Sequence, residues 1–116
     1  MTNVDDALQA ALQPVLPGKV YPTLYTKKEL EYIATSHTTL PVVFADGKPG
    51  AARYLCTVRY YLPWKQNPNA KLLAIQEALF DQDFTWPSVT DISDDEGQAY
   101  ALECEYANPG GAYGYS

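Results

Sequence analysis

Arg53-Tyr54-Leu55-Cys56-Thr57-Val58-Arg59-Tyr60-Tyr61-Leu62 is the stretch whose reading decides the fold. Side chains of an extended strand alternate between its two faces. Tyr54, Cys56, Val58, Tyr60 and Leu62 therefore share one apolar face, and Arg53, Leu55, Thr57, Arg59 and Tyr61 share a mixed one. The β-branched and aromatic content favours a strand. A strand this long with one apolar face needs neighbours on its edges and a layer over that face.

The neighbours are sought outward along the chain. Upstream, Asp46-Gly47-Lys48-Pro49-Gly50 is a strong turn signal. It predicts an antiparallel hairpin between a strand over Leu40 to Ala45 and the long strand. Thr26-Lys27-Lys28-Glu29 matches a capping box, so one or two helical turns are expected through Ile33, followed by a polar connector over Thr35 to Thr39. A short strand is expected at Lys19 to Leu24, with Val20 as its core residue. At the start, Thr2 or Asn3 caps a helix whose stripe is Val4, Leu8, Ala11 and Leu12, with Asp5 and Asp6 in its first turn. Pro14 and Pro17-Gly18 end it.

Downstream, Asn67-Pro68 opens a helix to about Phe80, with Leu72, Ile75 and Leu79 on the face that lies on the sheet and Leu73 and Phe80 beside them. Trp86, Val89 and Ile92 suggest a short strand, and Asp94-Asp95-Glu96-Gly97 a turn. Gln98 to Tyr106 alternates: Tyr100, Leu102, Cys104 and Tyr106 against Ala101, Glu103 and Glu105. The last two strands are expected to pair as a hairpin. The class is α+β, a mostly antiparallel sheet of four to five strands with helices on one face. Residues 1–107 form one domain, and 108–116 a flexible Gly/Tyr-rich tail.

The chain has 116 residues and a net charge of −6. Its basic residues form no run longer than Lys27-Lys28, which argues against a protein that grips nucleic acid. No apolar run approaches the ~20 residues of a membrane span. The first residues lack the pattern of a signal peptide, so a cytoplasmic location is expected. Cys56 and Cys104 stand in apolar strand phase with no metal-ligand spacing, which predicts two buried, reduced thiols.

Several groups could carry chemistry, and each has a plainer account. His37 is the lone histidine, expected on the surface, with no nucleophile brought to it. Asp91, Asp94, Asp95 and Glu96 could offer oxygens to a cation, but their spacing does not fit an EF-hand loop; a solvated turn is expected, acting as an acidic surface or lumen device. Glu103 and Glu105 are explained by alternation on a solvent-facing strand. Arg53 and Arg59 either pair with them across strands, if those strands are neighbours, or Arg53, Arg59, Tyr61, Glu103 and Glu105 together make a subunit contact. Ten tyrosines favour an interaction protein, since tyrosine suits interfaces. No catalytic residue, cofactor site or resident metal is assigned.

The succession of a helix, Val20-Tyr21-Pro22, Leu40-Pro41-Val42-Val43-Phe44, the long strand ending Tyr60-Tyr61-Leu62-Pro63, a helix, an acidic turn and an alternating last strand resembles the tail terminator family of long-tailed bacteriophages and prophages, also called tail completion or minor tail proteins. The resemblance spans roughly residues 4 to 106. It implies a non-enzymatic virion protein that forms a homo-oligomeric ring, a hexamer, on the tail tube. The ring stops tail growth and offers a surface to the head connector or neck protein, and DNA merely passes through its lumen. It implies residence in the host cytoplasm during assembly and in the virion tail afterwards. The chain departs from the family in its longer connector, Thr26 to Thr39, and its Gly/Tyr tail. A head–tail completion protein of the neck therefore stays open, as do a small metal-binding or enzymatic domain using the acidic turn and a monomeric adaptor.

Overall fold

The computed structural model describes residues 4–22, 31–40 and 52–108. Its elements in chain order are α1 (Val4–Leu12), β1 (Val20–Tyr21), β2 (Tyr32–Leu40), β3 (Ala52–Leu62), α2 (Asn69–Asp81), β4 (Ser88–Asp91) and β5 (Gln98–Asn108). They build an α+β domain around a five-stranded sheet in the order β1-β2-β3-β5-β4. Every pairing is antiparallel except β1 with β2.

The long strand sits near the middle, between β2 and β5. Its apolar face is the one inferred from alternation. Cys56, Val58, Tyr60 and Leu62 are buried, and Cys56, Val58 and Tyr60 stand directly across from Cys104, Leu102 and Tyr100. Over this face lie α1, through Val4, Ala7, Leu8, Ala11 and Leu12, and α2, through Ile75 and Leu79. These groups form one core. Removing their apolar surface from water is its main stabilisation. Leu73 and Phe80 stay exposed rather than joining it.

The helix ends follow local rules. Gly18 adopts φ +76°, a conformation glycine takes without a side-chain penalty, where the chain leaves α1. Pro68 already has near-helical dihedrals, and Asn67 Oδ1 accepts from the Asn69 N–H at 2.9 Å; that is a cap at the asparagine, as expected. After α2, Phe84 N–H donates to Leu79 O and Asp83 N–H to Phe80 O, with Asp83 at φ +71°. This is a Schellman stop with aspartate where glycine is usual.

The largest departure from expectation lies in 32–40. Ile33 is not in a helical turn and Thr35 to Thr39 is not a connector: both belong to β2, which runs antiparallel to β3 with Ile33 opposite Tyr60 and Leu40 opposite Arg53. β2 thus takes the place beside β3 expected of Leu40 to Ala45, a strand of which all but Leu40 lies outside the described residues. The reason is that the inward positions after Ile33 are polar. Thr35 is buried and Thr35 Oγ1 donates to Tyr21 O at 3.4 Å. His37 Nδ1 lies 3.2 Å from Asp5 Oδ1 at the start of α1, and its ring meets Tyr54 edge-on. Polar partners replace the apolar alternation by which a strand is recognised. The capping box at Thr26 to Glu29 and the turn at Asp46 to Gly50 lie outside the described residues, as does 109–116; Asn108, assigned to the tail from sequence, is the last residue of β5.

A bulge shapes the far edge. Phe84 bridges Tyr106, and Ser88 pairs with Glu103. Between these pairs stand Thr85, Trp86 and Pro87 on one side but only Cys104 and Glu105 on the other. The extra residue bends the strand; Pro87 is buried while Trp86 is half exposed and meets Phe80.

Candidate assembly surface

Both helices cover the same side of the sheet, so among the described residues no helix covers its other face, where Ala34 and Ala99 are nonetheless buried beside Arg59 and Tyr61. That face is built by the odd-numbered positions of β3 and β5 and the even-numbered ones of β2. Small side chains occupy its centre: Ala34 lies opposite Arg59 on one side, and Ala101 opposite Arg59 on the other. Aromatic rings occupy one end. Tyr32 and Tyr61, direct cross-strand partners, stack at 4.6 Å with an interplanar angle of 20°. Tyr21 meets Tyr32 edge-on at 6.3 Å. Leu55, 37% exposed, marks the other end. A face that is small-centred and tyrosine-edged offers contact area at little cost in side-chain entropy.

The residues singled out from sequence map onto this face unevenly. Arg59 and Tyr61 are both on it and half-buried. Arg59 Nη1 donates to Ser36 Oγ at 3.4 Å across β2, while Glu103 stands opposite Thr57, diagonal to Arg59. Glu105 stands opposite Leu55. β3 and β5 are neighbours, the condition on which a cross-strand charge pair depended. Arg53 lies in β3 opposite Ala107, but its side chain lies outside the described residues. Tyr32 was missed because its segment was read as helix and connector; the aromatic and threonine content of Tyr32 to Thr39 was the available signal.

The acidic segment is a turn, as expected. Asp94 and Gly97 exchange backbone hydrogen bonds of 3.1 and 3.3 Å. Asp94 Oδ1 accepts from the Glu96 N–H, and Asp91 Oδ1 from the Ser93 N–H, each at 2.9 Å. The Ser93 hydroxyl and N–H hold the Asp91 carboxyl below the usual carboxylate range. A Cβ added to Gly97 would stand 3.2 Å from Leu62 O, so the turn packs close to the end of β3. Among the described residues no three acidic, histidine or cysteine side chains gather as metal ligands.

Elsewhere the titratable groups are structural. Cys56 and Cys104 are buried free thiols. Burial, with Cys104 and then Asp5 nearby, pushes the Cys56 thiol up to about 12, and burial alone does the same for Cys104. Thiolate is the reactive form of cysteine, so neither serves as a nucleophile at neutral pH. Buried Tyr60 donates to a Glu31 carboxylate oxygen; burial first, and that bond second, raise its pKa. Gln98, 7% exposed, was missed from sequence. Its amide donates to the carbonyls of Pro63, Trp64 and Gln66 at 2.8, 3.1 and 2.6 Å, and its Oε1 accepts from Tyr100 Oη at 2.6 Å. It ties the β3–α2 loop to the sheet. A shallow groove of about 420 Å³ between α1 and α2 is lined by four alanines among other residues, and Lys71 beside it donates to Val15 O.

No protein-family model matches the chain, and a search of curated proteins finds no similar sequence.

Proposed function

We propose that the chain is a non-enzymatic assembly subunit that closes into a ring through the helix-free face of its sheet, and that this ring caps the tail tube of a long-tailed phage or prophage. The observation that carries the reading is that face: stacked Tyr32 and Tyr61 beside half-buried Arg59, with no helix over them among the described residues. Tyrosine and arginine are the side chains that concentrate binding energy at interface centres. Rings above two subunits require heterologous contacts, so the helix-free face of one copy meets a different surface of the next. The tail tube protein and a head connector or neck protein are the further partners, with the tube end as template and DNA passing through the lumen. The element order of the terminator resemblance, helix, three strands, helix, two strands, supports the reading. The acidic turn is read as a solvated surface, with the Asp91 and Asp94 carboxylates accepting from backbone N–H groups.

The test is Arg59→Glu. It leaves the core untouched, so circular dichroism and melting should stay near those of the parent chain. Ring formation should be lost, and induced cells should produce tails of uncontrolled length. Normal tails from cells carrying that variant, or lacking the gene, would refute the reading.

A further inference from the structure

Four large apolar side chains lie exposed along the β4 edge: Leu73 and Phe80 from α2, Trp86 from the bulge and Val89 from β4. Helical spacing sets Leu73, Gln76 and Phe80 on one face. Gln76 Nε2 donates to Pro87 O at 3.0 Å, so that face looks towards β4. Val89 stands opposite buried Leu102, which puts it on the same side of the sheet. Phe80 and Trp86 meet edge-on with centroids 5.7 Å apart, yet remain 55% and 50% exposed. Contiguous exposed apolar side chains of this kind mark interaction sites.

The strand beside them ends the sheet among the described residues. Ile92 N–H donates to Ala99 O at 2.8 Å. Antiparallel alternation from that bond directs the N–H and C=O of Thr90 and Ser88 towards β5, and those of Val89 and Asp91 outward. Such groups are a template for an added strand.

Charge selects the occupant. Beyond Lys71 the chain has nine acidic residues and no basic one. Glu77 lies between Leu73 and Phe80 on α2, Asp83 follows that helix, and Asp91 ends β4; all are exposed. A second copy pairing through its own β4 would set these carboxylates against each other, and like-charge juxtaposition rejects such partners.

We infer that the β4 edge is a docking site for an extended, lysine- or arginine-bearing segment of a partner protein. The segment adds a strand beyond Val89 and Asp91, and the side chains on its helix-side face include apolar ones laid on Phe80 and Trp86 and cations set against Glu77 and Asp91, since all four lie on that side of the sheet. This site is independent of ring closure through the helix-free face.

The test uses the full chain and two synthetic seven-residue peptides, Val-Thr-Val-Thr-Lys-Thr-Lys and its counterpart with glutamate in place of lysine, whose valines and charges share one strand face, titrated by calorimetry and tryptophan emission. The lysine peptide should bind, less tightly as salt rises, and the glutamate peptide should not. Val89→Pro removes an outward N–H and no bond to β5, which an edge strand tolerates. It should weaken lysine-peptide binding about tenfold or more, as should the charge-reversed pair Glu77→Lys with Asp91→Lys. The charge-reversed protein carries the test even where the proline variant does not fold. Equal binding of both peptides, no binding of the lysine peptide, or unchanged affinity in the charge-reversed protein would overturn the proposal. So would self-association of the parent chain that Val89→Pro abolishes, since the occupant would then be a second copy.

Discussion

Replacing Gln98 with leucine should cost about 2 kcal/mol. The side chain is nearly buried and satisfies three carbonyls of the β3–α2 loop as well as the Tyr100 hydroxyl. An amide has two N–H groups, so the three carbonyls amount to about two full hydrogen bonds, and the Tyr100 bond is a third. At about 1 kcal/mol net each, their loss costs about 3 kcal/mol. Extra apolar burial of leucine returns about 1 kcal/mol. With a urea slope of about 1.5 kcal/mol/M, the midpoint should fall by roughly 1.3 M. Gln98→Glu sharpens the test, because it keeps the shape but turns a carboxylate towards three carbonyl oxygens. Its folded pKa should be raised above the ordinary glutamate value of about 4.3. The protonated acid retains one donor, so the variant's stability is fullest below about pH 4.3 and is lost as pH rises through the raised folded value. At pH 7 the glutamate variant should be less stable than the leucine one, and at pH 4 the gap should shrink. A glutamate variant as stable as the parent chain at pH 7, or a loss equal at both pH values, would refute the clamp.

The remaining predictions concern packing and caps. Native protein should react negligibly with an aromatic disulfide reagent at pH 7 and should release two thiols on unfolding. Both folded thiols titrate near 12 and unfolded ones near about 8.5, so their contribution to stability is full below about pH 8.5 and declines above it; melting points measured from pH 8 to 11 check the sign. Asp83→Gly relieves an aspartate held at φ +71° and should raise stability by about 0.5–1 kcal/mol; a lower melting point would show that the aspartate side chain is itself needed in the Schellman stop.

What could be read in the chain depended on whether burial and polarity coincide. In β3 and in β5 beyond Gln98 they do: every second residue is apolar and faces the helices, so strand and face were legible, while the β3–β5 register was not. α2 was legible for the same reason, with Asn67-Pro68 at its start. In β2 they do not. Buried Thr35 and exposed His37 both stand on the helix side and meet Tyr21 O and Asp5, long-range partners that no local pattern announces. The candidate surface inherited that gap. Arg59 and Tyr61 were placed on the mixed face, but Tyr32, which stacks on Tyr61, was assigned to a helical turn. The apolar strip at Phe80 and Trp86 was equally hidden. Helical spacing put Phe80 beside the core, and only the bulge and the register of β4 show why it is left outside with Trp86 against it.

The position of β3 also governs the order in which the fold can be completed. While the chain is being synthesised, α1, β1, β2 and β3 all precede α2, so the β2–β3 pair can form first. One edge of β3 then has no partner until β5 has followed α2 and β4 off the ribosome. β4 and β5 join through a tight turn and can dock on that edge as a preformed unit. The β3–β5 seam, eleven residue pairs long, is therefore the last long contact to close, and it buries the Cys56–Cys104 pair at its centre. Until it closes, the nascent chain presents an apolar strand edge to the crowded cell, which is the interval in which a chaperone has most to protect.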